Sequence, residues 1–309
     1  MGKLHIALIA GGWSGEREVS LKSGETVYRA LDRNKYDVTW YDPRDDFLTL
    51  IKDREKIDLA FILLHGKFGE DGCIQGLLNI LGISFVGSGV LPSALALHKK
   101  IAKKMYHDAG LSVAKDVIIH KGQNVSVEEI LNILGPSTVV KPISEGSSLG
   151  TSICHSDREL KEGLDLAFTF DQEIMIEQYL HGREVTCCVL GNNVLETLPV
   201  VEIIPNPEYG FFNYKAKYTP GATREICPAP LPETLNERIQ FCAKEAHQAL
   251  KCRVWSRTDM IVQGDEVYIL ETNTIPGMTE TSLVPLAARA AGMSLSQFLD
   301  KLIDLSFER

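Results

Sequence analysis

The sequence has little that would suit a secreted, membrane or nucleic-acid-binding protein. Its seven cysteines are an odd number without a C-x-x-C pair, which indicates free thiols in a reducing, cytoplasmic compartment. No apolar run approaches the length of a membrane span, and the first residues lack the flanks of a signal peptide. The net charge of −9 predicts no broad basic surface, so nucleic acid is not an expected partner.

Strands alternate with helices in the first part of the 309-residue chain. Apolar runs at 4–10 and 59–64 predict buried strands, and each precedes a segment with helical spacing. This alternation is typical of a mostly parallel α/β sheet with helices on its faces. Ligands of such sheets bind beyond the carboxyl ends of the strands, where Gly11-Gly12 and His65-Gly66 fall.

Shorter strands follow Gly87-Ser88-Gly89. We predict one continuous helix over 91–109, whose Lys100, Lys103 and Lys104 form a solvated face. The further predicted elements are strands at 116–119, 138–141, 152–154 and 174–179, a hairpin over 184–203 and a helix over 235–250. A capping box is predicted at Ser156–Glu159, and Ser294–Gln297 is predicted to cap the final helix.

The long segment 205–223 is polar and aromatic, with Tyr209, Phe211, Phe212, Tyr214 and Tyr218. A loop of this length is usually functional or a link between units. It suits a lid that excludes water from a reaction, and it equally suits an aromatic surface loop that packs on the protein.

A second hairpin, at 257–273, concentrates the charged residues. Arg257 and Asp259 share one strand face, and Glu271 and Asn273 share one face of the return strand. With an odd-numbered loop centred on Asp265, Asp259 lies opposite Glu271 and Arg257 opposite Asn273. Hard oxygen ligands clustered in this way suit Mg²⁺, although a solvated polar face gives the same pattern.

The segment from Val139 to Gly150 places Lys141 at the end of a predicted strand, before a loop rich in glycine and serine. Such a loop can hold phosphate oxygens through backbone amides and hydroxyls, and Lys141 would add a point charge. Glycine and serine are also ordinary turn residues, so a plain connector remains open.

Taken in order, these segments resemble the D-alanine–D-alanine ligase family of ATP-grasp enzymes over nearly the whole chain. The segments that carry the resemblance are Gly11-Gly12-x-Ser14-x-Glu16-Arg17-Glu18-Val19-Ser20, His65-Gly66, Gly69-Glu70-Asp71-Gly72, Gly87-Ser88-Gly89, Ser93-Ala94 with Lys99, Lys141-Pro142, Glu145-Gly146-Ser147-Ser148, Lys217-Tyr218, Arg257-x-Asp259, Glu271-x-Asn273-Thr274-x-Pro276-Gly277-Met278-Thr279 and Ser282-Leu283-Val284-Pro285.

The resemblance implies an N-terminal substrate-binding α/β domain at 1–93 and a two-part ATP-grasp fold of α+β subdomains. The central subdomain would span 94–179, and the C-terminal subdomain, with the metal and catalytic site, 180–309. It also implies a homodimer that acts on ATP and D-alanine, with two Mg²⁺ ions that Mn²⁺ can replace. The product, D-alanyl-D-alanine, would serve peptidoglycan synthesis.

The resemblance also implies the site residues. The nucleotide contacts would be Lys99, Lys141, Ser148, Glu177, Gln178, Leu180, Glu184 and Lys217. The metal ligands would be Asp259, Glu271 and Asn273. The substrate contacts would be Glu16, His65, Ser282 and Leu283. The catalytic group would be Glu16, Ser147, Tyr218, Arg257 and Gly277, with Arg257 and the Gly277 amide facing the tetrahedral intermediate.

Four residues depart from the family pattern, namely Trp13, His98, Gln178 and Ser256. The alternatives left open are a D-alanine–D-lactate or D-alanine–D-serine ligase, another ATP-grasp enzyme, and a catalytically silent nucleotide-binding regulator. Tyr218 argues against the lactate enzyme, because the resemblance associates a tyrosine there with dipeptide formation. The retained metal ligands and Arg257 argue against the silent regulator.

Overall fold

The computed structural model describes residues 2–146, 148–206 and 221–308. Its first sheet is parallel, with strand order β2-β1-β3-β4. Ile6 and Leu8 pack in one core with α1, whereas Ala7 and Ile9 pack in another with α2 and α3. The elements are β1 (Leu4–Ile9), α1 (Arg17–Ala30), β2 (Tyr36–Tyr41), α2 (Pro43–Lys52), a 3₁₀ turn (Arg54–Lys56), β3 (Leu59–Ile62), α3 (Cys73–Leu81) and β4 (Ser84–Phe85). The predicted α/β fold with helices on both faces is confirmed.

The prediction of one continuous helix over 91–109 is wrong, because two helices meet at His98. The backbone N–H of Lys99 donates to the carbonyl of Ile143, 3.1 Å away, rather than to a carbonyl of the preceding helix. This bond ties the start of the second helix to the loop that follows Lys141. The elements are α4 (Val90–Leu97), α5 (Lys99–Asp108) and β5 (Ser112–Val113).

The central sheet is antiparallel, with strand order β6-β9-β7-β8. The capping box predicted at Ser156 is only half formed. Ser156 accepts from the backbone of Glu159, but the Glu159 carboxylate accepts from the N–H of His155 at 2.6 Å instead of from Ser156. The elements are β6 (Asp116–His120), α6 (Val127–Leu134), β7 (Thr138–Pro142), β8 (Ser152–Cys154), α7 (Asp157–Ala167) and β9 (Glu173–Gln178).

The third sheet has the strand order β13-β12-β10-β14-β15-β5, and β11 pairs with β10 outside this path. The hairpin predicted over 184–203 is confirmed, with its return strand divided into β11 and β12. The predicted cap at Ser294 is also confirmed, and it is a capping box with Gln297. The elements are β10 (Arg183–Gly191), β11 (Leu195–Thr197), β12 (Val201–Pro205), β13 (Thr223–Ile226), α8 (Glu233–Ala249), β14 (Val254–Gln263), β15 (Glu266–Asn273), α9 (Leu283–Ala290) and α10 (Leu295–Phe307).

The β14–β15 hairpin has the predicted pairs, but the predicted loop is wrong. Gln263 pairs with Glu266, so the turn has two residues and not an odd number. A β-bulge after Asp259 then shifts the register by one residue, because Met260 pairs with Ile269 whereas Asp259 pairs with Glu271. The bulge, rather than the turn, therefore places the two carboxylates opposite each other.

Two apolar cores involve the third sheet, and a separate core lies under the central sheet. On one face of the third sheet, Trp255 packs edge-on against Phe298 of α10, in the core that also contains strand residues of the first sheet. Tyr106 of α5 packs with α8 on the opposite face. The central sheet therefore has its own core.

All seven cysteines are free thiols. Within the described ranges, no helix combines the length and apolar character that crossing a membrane requires.

Candidate active site

Two cavities meet where the three sheets approach one another. The first has a volume of about 110 Å³ and lies between loops of the first sheet and the end of β15. The second has a volume of about 490 Å³ and lies between the central and third sheets. Lys99 and Glu271 line both cavities, so they mark the boundary across which two ligands would face each other.

Glu16 is buried in the wall of the first cavity, close to two glycines. A Cβ atom on Gly66 would lie 2.9 Å from its Oε2, and one on Gly146 would lie 3.0 Å from it. Gly66 also has a φ of +65°, which favours glycine. The Glu16 carboxylate therefore lies against both glycines, and a side chain at either position would require it to shift.

The loop before Glu16 is held by Asp42, a residue that the sequence analysis missed. Asp42 accepts from the N–H of Gly12 at 2.9 Å and pairs with Arg17 at 2.6 Å. Burial opposes the charged form of Asp42, but these partners outweigh it and hold its pKa below the usual value. The pair fixes the turn from β1 into α1, and so the position of Glu16.

His65 and Glu70 lie on the first-sheet side of the same cavity. Burial, together with the charge of Arg257, lowers the pKa of His65 to about 4, so its imidazole is neutral at neutral pH. Burial, followed by the charge of Glu16, raises the pKa of Glu70 to about 8. Glu70 accepts from the N–H of Gly66 at 2.7 Å. It was absent from the predicted site, although it falls within a motif of the resemblance.

The polar face of the hairpin forms around Asp259. Arg257 donates to both of its carboxylate oxygens, with distances of 2.8 Å from Nε to Oδ1 and 2.7 Å from Nη2 to Oδ2. Asn273 donates to Oδ2 at 3.3 Å, and Thr186, directly opposite on β10, donates to Oδ1 at 2.5 Å. The structure thus brings together Arg257, Asp259 and Asn273, and it adds Thr186, which the sequence analysis missed.

The donor set of this face fits Mg²⁺. Asp259 and Glu271 are cross-strand partners, and both line the second cavity. They and Asn273 would offer carboxylate and amide oxygens, which are ligands that Mg²⁺ accepts together with oxygens of a nucleotide. Each carboxylate oxygen of Asp259 already accepts two bonds, Oδ1 from Arg257 and Thr186 and Oδ2 from Arg257 and Asn273, so a metal ion would take the place of one of these donors.

The second cavity gathers the residues that were predicted to contact a nucleotide. Those that line it are Lys99, Lys141, Ser148, Glu177, Gln178, Leu180 and Glu184. Arg183 and Glu202 also line it and form a two-point ion pair, with distances of 2.6 and 2.9 Å. The sequence analysis missed this pair, because its members belong to different strands and match no motif.

Two lysines that line the second cavity are already paired. Lys99 donates to the carbonyl of Glu145, and Lys141 forms an ion pair with Glu177. Lys103 is a second cationic partner of Glu177, at 2.6 Å. The prediction of a solvated face is therefore wrong for Lys103, which is buried, and confirmed for the exposed Lys104.

The N-terminus of α9 borders the first cavity. Ser282 precedes the helix, but its hydroxyl does not cap it; Oγ accepts from the N–H of Thr279 at 3.0 Å and lies 2.8 Å from Thr279 Oγ1. A Cβ on Gly277 would lie 3.1 Å from the same hydroxyl. Ser282, Gly277 and Leu283 all line the cavity, where the helix N-terminus favours a carboxylate.

The remaining predicted residues, Ser147, Lys217 and Tyr218, lie outside the described residues, as does most of the predicted lid.

Among the departures from the family pattern, Ser256 is fully buried and bonds to Nδ1 of the buried His247 at 2.8 Å. Trp13 is about half exposed and packs edge-on against Phe68. His98 marks the break between α4 and α5.

The family models match two parts of the chain. Residues 45–88 match the D-ala D-ala ligase N-terminus, and residues 105–304 match the D-ala D-ala ligase C-terminus.

Two curated relatives cover almost the whole chain. A D-alanine–D-alanine ligase of Syntrophobacter fumaroxidans is 53% identical, over 99% of this chain and 98% of the relative. A D-alanine–D-alanine ligase of Desulfotalea psychrophila is 52% identical, over 99% and 96%.

Solved structures give the same result. A D-alanine–D-alanine ligase from Bacillus anthracis, complexed with ATP, has a TM-score of 0.83 at 34% identity, covering 98% of this chain and 96% of its own. The VanG D-Ala:D-Ser ligase from Enterococcus faecalis has a TM-score of 0.85 at 34% identity, covering 99% and 100%. From its two matching family models and its full-length relatives, this chain is a member of the D-alanine–D-alanine ligase family of ATP-grasp enzymes.

Proposed function

We propose that this protein joins two D-alanine molecules, at the expense of ATP, to give D-alanyl-D-alanine, ADP and phosphate for peptidoglycan synthesis. The observation that carries the proposal is the pair of adjoining cavities that share Lys99 and Glu271. One cavity has the charged groups that an amino acid needs, and the other has the lysines and volume that a nucleotide needs. The close relatives named for this reaction support the same assignment.

The first D-alanine would bind in the smaller cavity with its ammonium group against Glu16. Glu16 is buried and lines this cavity, so its carboxylate can meet the ammonium group there. The neutral His65 would add no competing positive charge beside that ammonium. The substrate carboxylate would then face the boundary marked by Lys99 and Glu271.

ATP would bind in the larger cavity with its phosphates toward Lys99 and Lys141. Transfer of the γ-phosphoryl group to a carboxylate oxygen of the first D-alanine releases ADP and forms D-alanyl phosphate. Two Mg²⁺ ions held by Asp259, Glu271 and Asn273 would supply charge neutralisation for this transfer, and Mn²⁺ could replace them. The lysines limit the electrostatic cost of bringing phosphate and carboxylate oxygens together.

The second D-alanine would place its carboxylate at the N-terminus of α9, near Ser282 and the N–H of Leu283. Its neutral amine attacks the carbonyl carbon of D-alanyl phosphate, and collapse of the tetrahedral intermediate expels phosphate while the attacking nitrogen releases a proton. Arg257 and the N–H of Gly277 would donate to the oxygen that becomes negative in that intermediate. Ser147 and Tyr218 complete the proposed catalytic group, and Lys217 the nucleotide contacts.

The proposal includes a homodimer in the cytoplasm, with domain boundaries after residues 93 and 179. Seven free thiols are consistent with a reducing compartment. D-serine as the second substrate is the principal alternative, because a D-Ala:D-Ser ligase has the same fold. The relatives with more than 50% identity favour D-alanine.

The test is an assay of purified protein with ATP, Mg²⁺ and D-alanine, with phosphate measured in solution and dipeptide by mass spectrometry. We expect one phosphate released per D-alanyl-D-alanine formed. Competition with D-serine and D-lactate then ranks the second substrate. Phosphate release that ignores D-alanine, or that is equal with L-alanine, would reject the proposal.

A further inference from the structure

Lys103 differs from its neighbours on α5 in being buried. Its exposed fraction is 8%, whereas Lys100 and Lys104 are exposed. A buried lysine requires anionic partners, because the free energy lost when an ammonium group leaves water is larger than the free energy gained from packing its side chain. Lys103 does not line the nucleotide cavity, so those partners must explain its position.

The partners are two carboxylates on the central sheet. Lys103 Nζ lies 2.6 Å from Glu177 Oε1 and 2.9 Å from Asp116 Oδ1. Asp116 and Glu177 are directly opposite each other on the antiparallel strands β6 and β9. Like charges at opposite positions destabilise a sheet, so Lys103 is the cation that allows this pair to exist.

Glu177 is shared between two lysines. Its Oε1 accepts from Lys103, and its Oε2 contacts Lys141, which lines the nucleotide cavity. Burial opposes ionisation of Glu177, but Lys141 and Lys103 outweigh it and hold its pKa below the usual value. The two carboxylates and two lysines of this cluster balance in charge. Without Lys103, two carboxylates would have Lys141 as their cation within the cluster.

We propose that Lys103 is a positioning residue for ATP: it neutralises Asp116 and shares the charge of Glu177, so that Lys141 keeps positive charge available for the phosphates. Lys103 itself touches no substrate. The same bond ties α5 to β9, and α5 begins with Lys99, the other proposed phosphate contact. This inference rests on the proposed nucleotide cavity.

The first test compares Lys103→Met with Lys104→Met, an exposed lysine of the same helix whose partner is Asp108. The measurements are ATP affinity by calorimetry, KM for D-alanine, and thermal unfolding without nucleotide. We expect Lys103→Met to weaken ATP binding by about tenfold, as for loss of a charge-assisted bond, while KM for D-alanine is retained. Lys104→Met should match the wild type, and Lys103→Arg should recover part of the affinity.

A second variant keeps the test decisive if Lys103→Met does not fold. Lys103→Met combined with Asp116→Asn removes one charge of each sign and leaves the Lys141–Glu177 pair neutral. ATP binding should still be weaker than in the wild type, though less so than in the single variant. Wild-type ATP affinity in the folded double variant would overturn the inference, as would equal losses for ATP and D-alanine. Failure of the wild type to bind ATP would instead reject the proposed nucleotide cavity.

Discussion

Arg257 and Asp259 lie two residues apart on one strand and form a two-point ion pair, Nε to Oδ1 at 2.8 Å and Nη2 to Oδ2 at 2.7 Å. The pair links two proposed roles, since Arg257 would face the tetrahedral intermediate and Asp259 would bind a metal ion. Each group holds the other in place. Loss of either should therefore disturb both the chemistry and the metal site.

Arg257→Ala should lower kcat by about 10²–10³, the range for loss of one preorganised oxyanion donor. The effect should fall mainly on turnover, because the charge that Arg257 meets develops in the transition state, with a smaller rise in the Mg²⁺ requirement because Asp259 loses its partner. Steady-state kinetics at saturating ATP measure it. Arg238→Ala is the matched control, because Arg238 is an exposed arginine paired with Glu266. A change confined to KM for ATP would make Arg257 a nucleotide contact only.

Glu271→Gln keeps the shape of the side chain and removes one charge from the proposed metal site. The Mg²⁺ concentration needed for half-maximal activity should rise sharply, while the thermal unfolding temperature without Mg²⁺ stays near that of the wild type. Glu266→Gln, on the exposed end of the same strand, serves as the control. Equal Mg²⁺ dependence in the two variants would remove Glu271 from the metal site.

Glu70→Gln should change how stability depends on pH. The folded-state pKa of Glu70 is raised to about 8 from its usual value of 4.5, so the folded state retains a proton that the unfolded state loses. This contribution to the free energy of unfolding is present below pH 4.5 and falls as pH rises toward 8. The stability of Glu70→Gln relative to the wild type should therefore increase across that window in urea titrations. A difference that is constant with pH would contradict this assignment.

Ser256→Ala should destabilise the fold, because it leaves Nδ1 of the buried His247 without the Ser256 hydroxyl at 2.8 Å. We expect a loss of about 1–3 kcal/mol, the cost of a buried polar group deprived of its partner. Urea unfolding at neutral pH measures it, where burial keeps the pKa of His247 near 4. Thr26→Ala, at an exposed helical hydroxyl that bonds to the Lys22 carbonyl, should cost much less.

Hydrophobic periodicity was sufficient to predict the parallel first sheet and most later strands, because the buried residues of a strand form a regular pattern of apolar residues in the sequence. It did not predict the break at His98. The bond that replaces helical pairing there joins Lys99 to Ile143, and no local pattern records such a contact. For the same reason Lys103 was assigned to solvent: its partners Asp116 and Glu177 are distant in sequence.

The motifs located the lining of both cavities, but not the residues that support it. Asp42, which precedes α2, holds the loop of Glu16 through Gly12 and Arg17, and Thr186 of β10 bonds to Asp259. Their residue types are common and their spacing carries no periodic signal, so only the folded chain identifies them. Glu70 is different, because it belongs to the motif Gly69-Glu70-Asp71-Gly72. Its raised pKa results from burial, which the motif does not show.

The bulge beside Asp259 divides the hairpin into two segments that pair in different registers. From Met260 to the tip, the pairing follows the two-residue turn; beyond the bulge it is offset by one residue. Consequently Leu270 and Glu271, although adjacent, both line the nucleotide cavity. If the tip register continued unbroken, Leu270 would oppose Asp259 and Glu271 would oppose Thr258, on the other face of the sheet. Whether Asp259 and Glu271 share a face of the sheet therefore depends on whether the number of residues between them is odd or even. The bulge supplies the one extra residue that places both carboxylates on the same face.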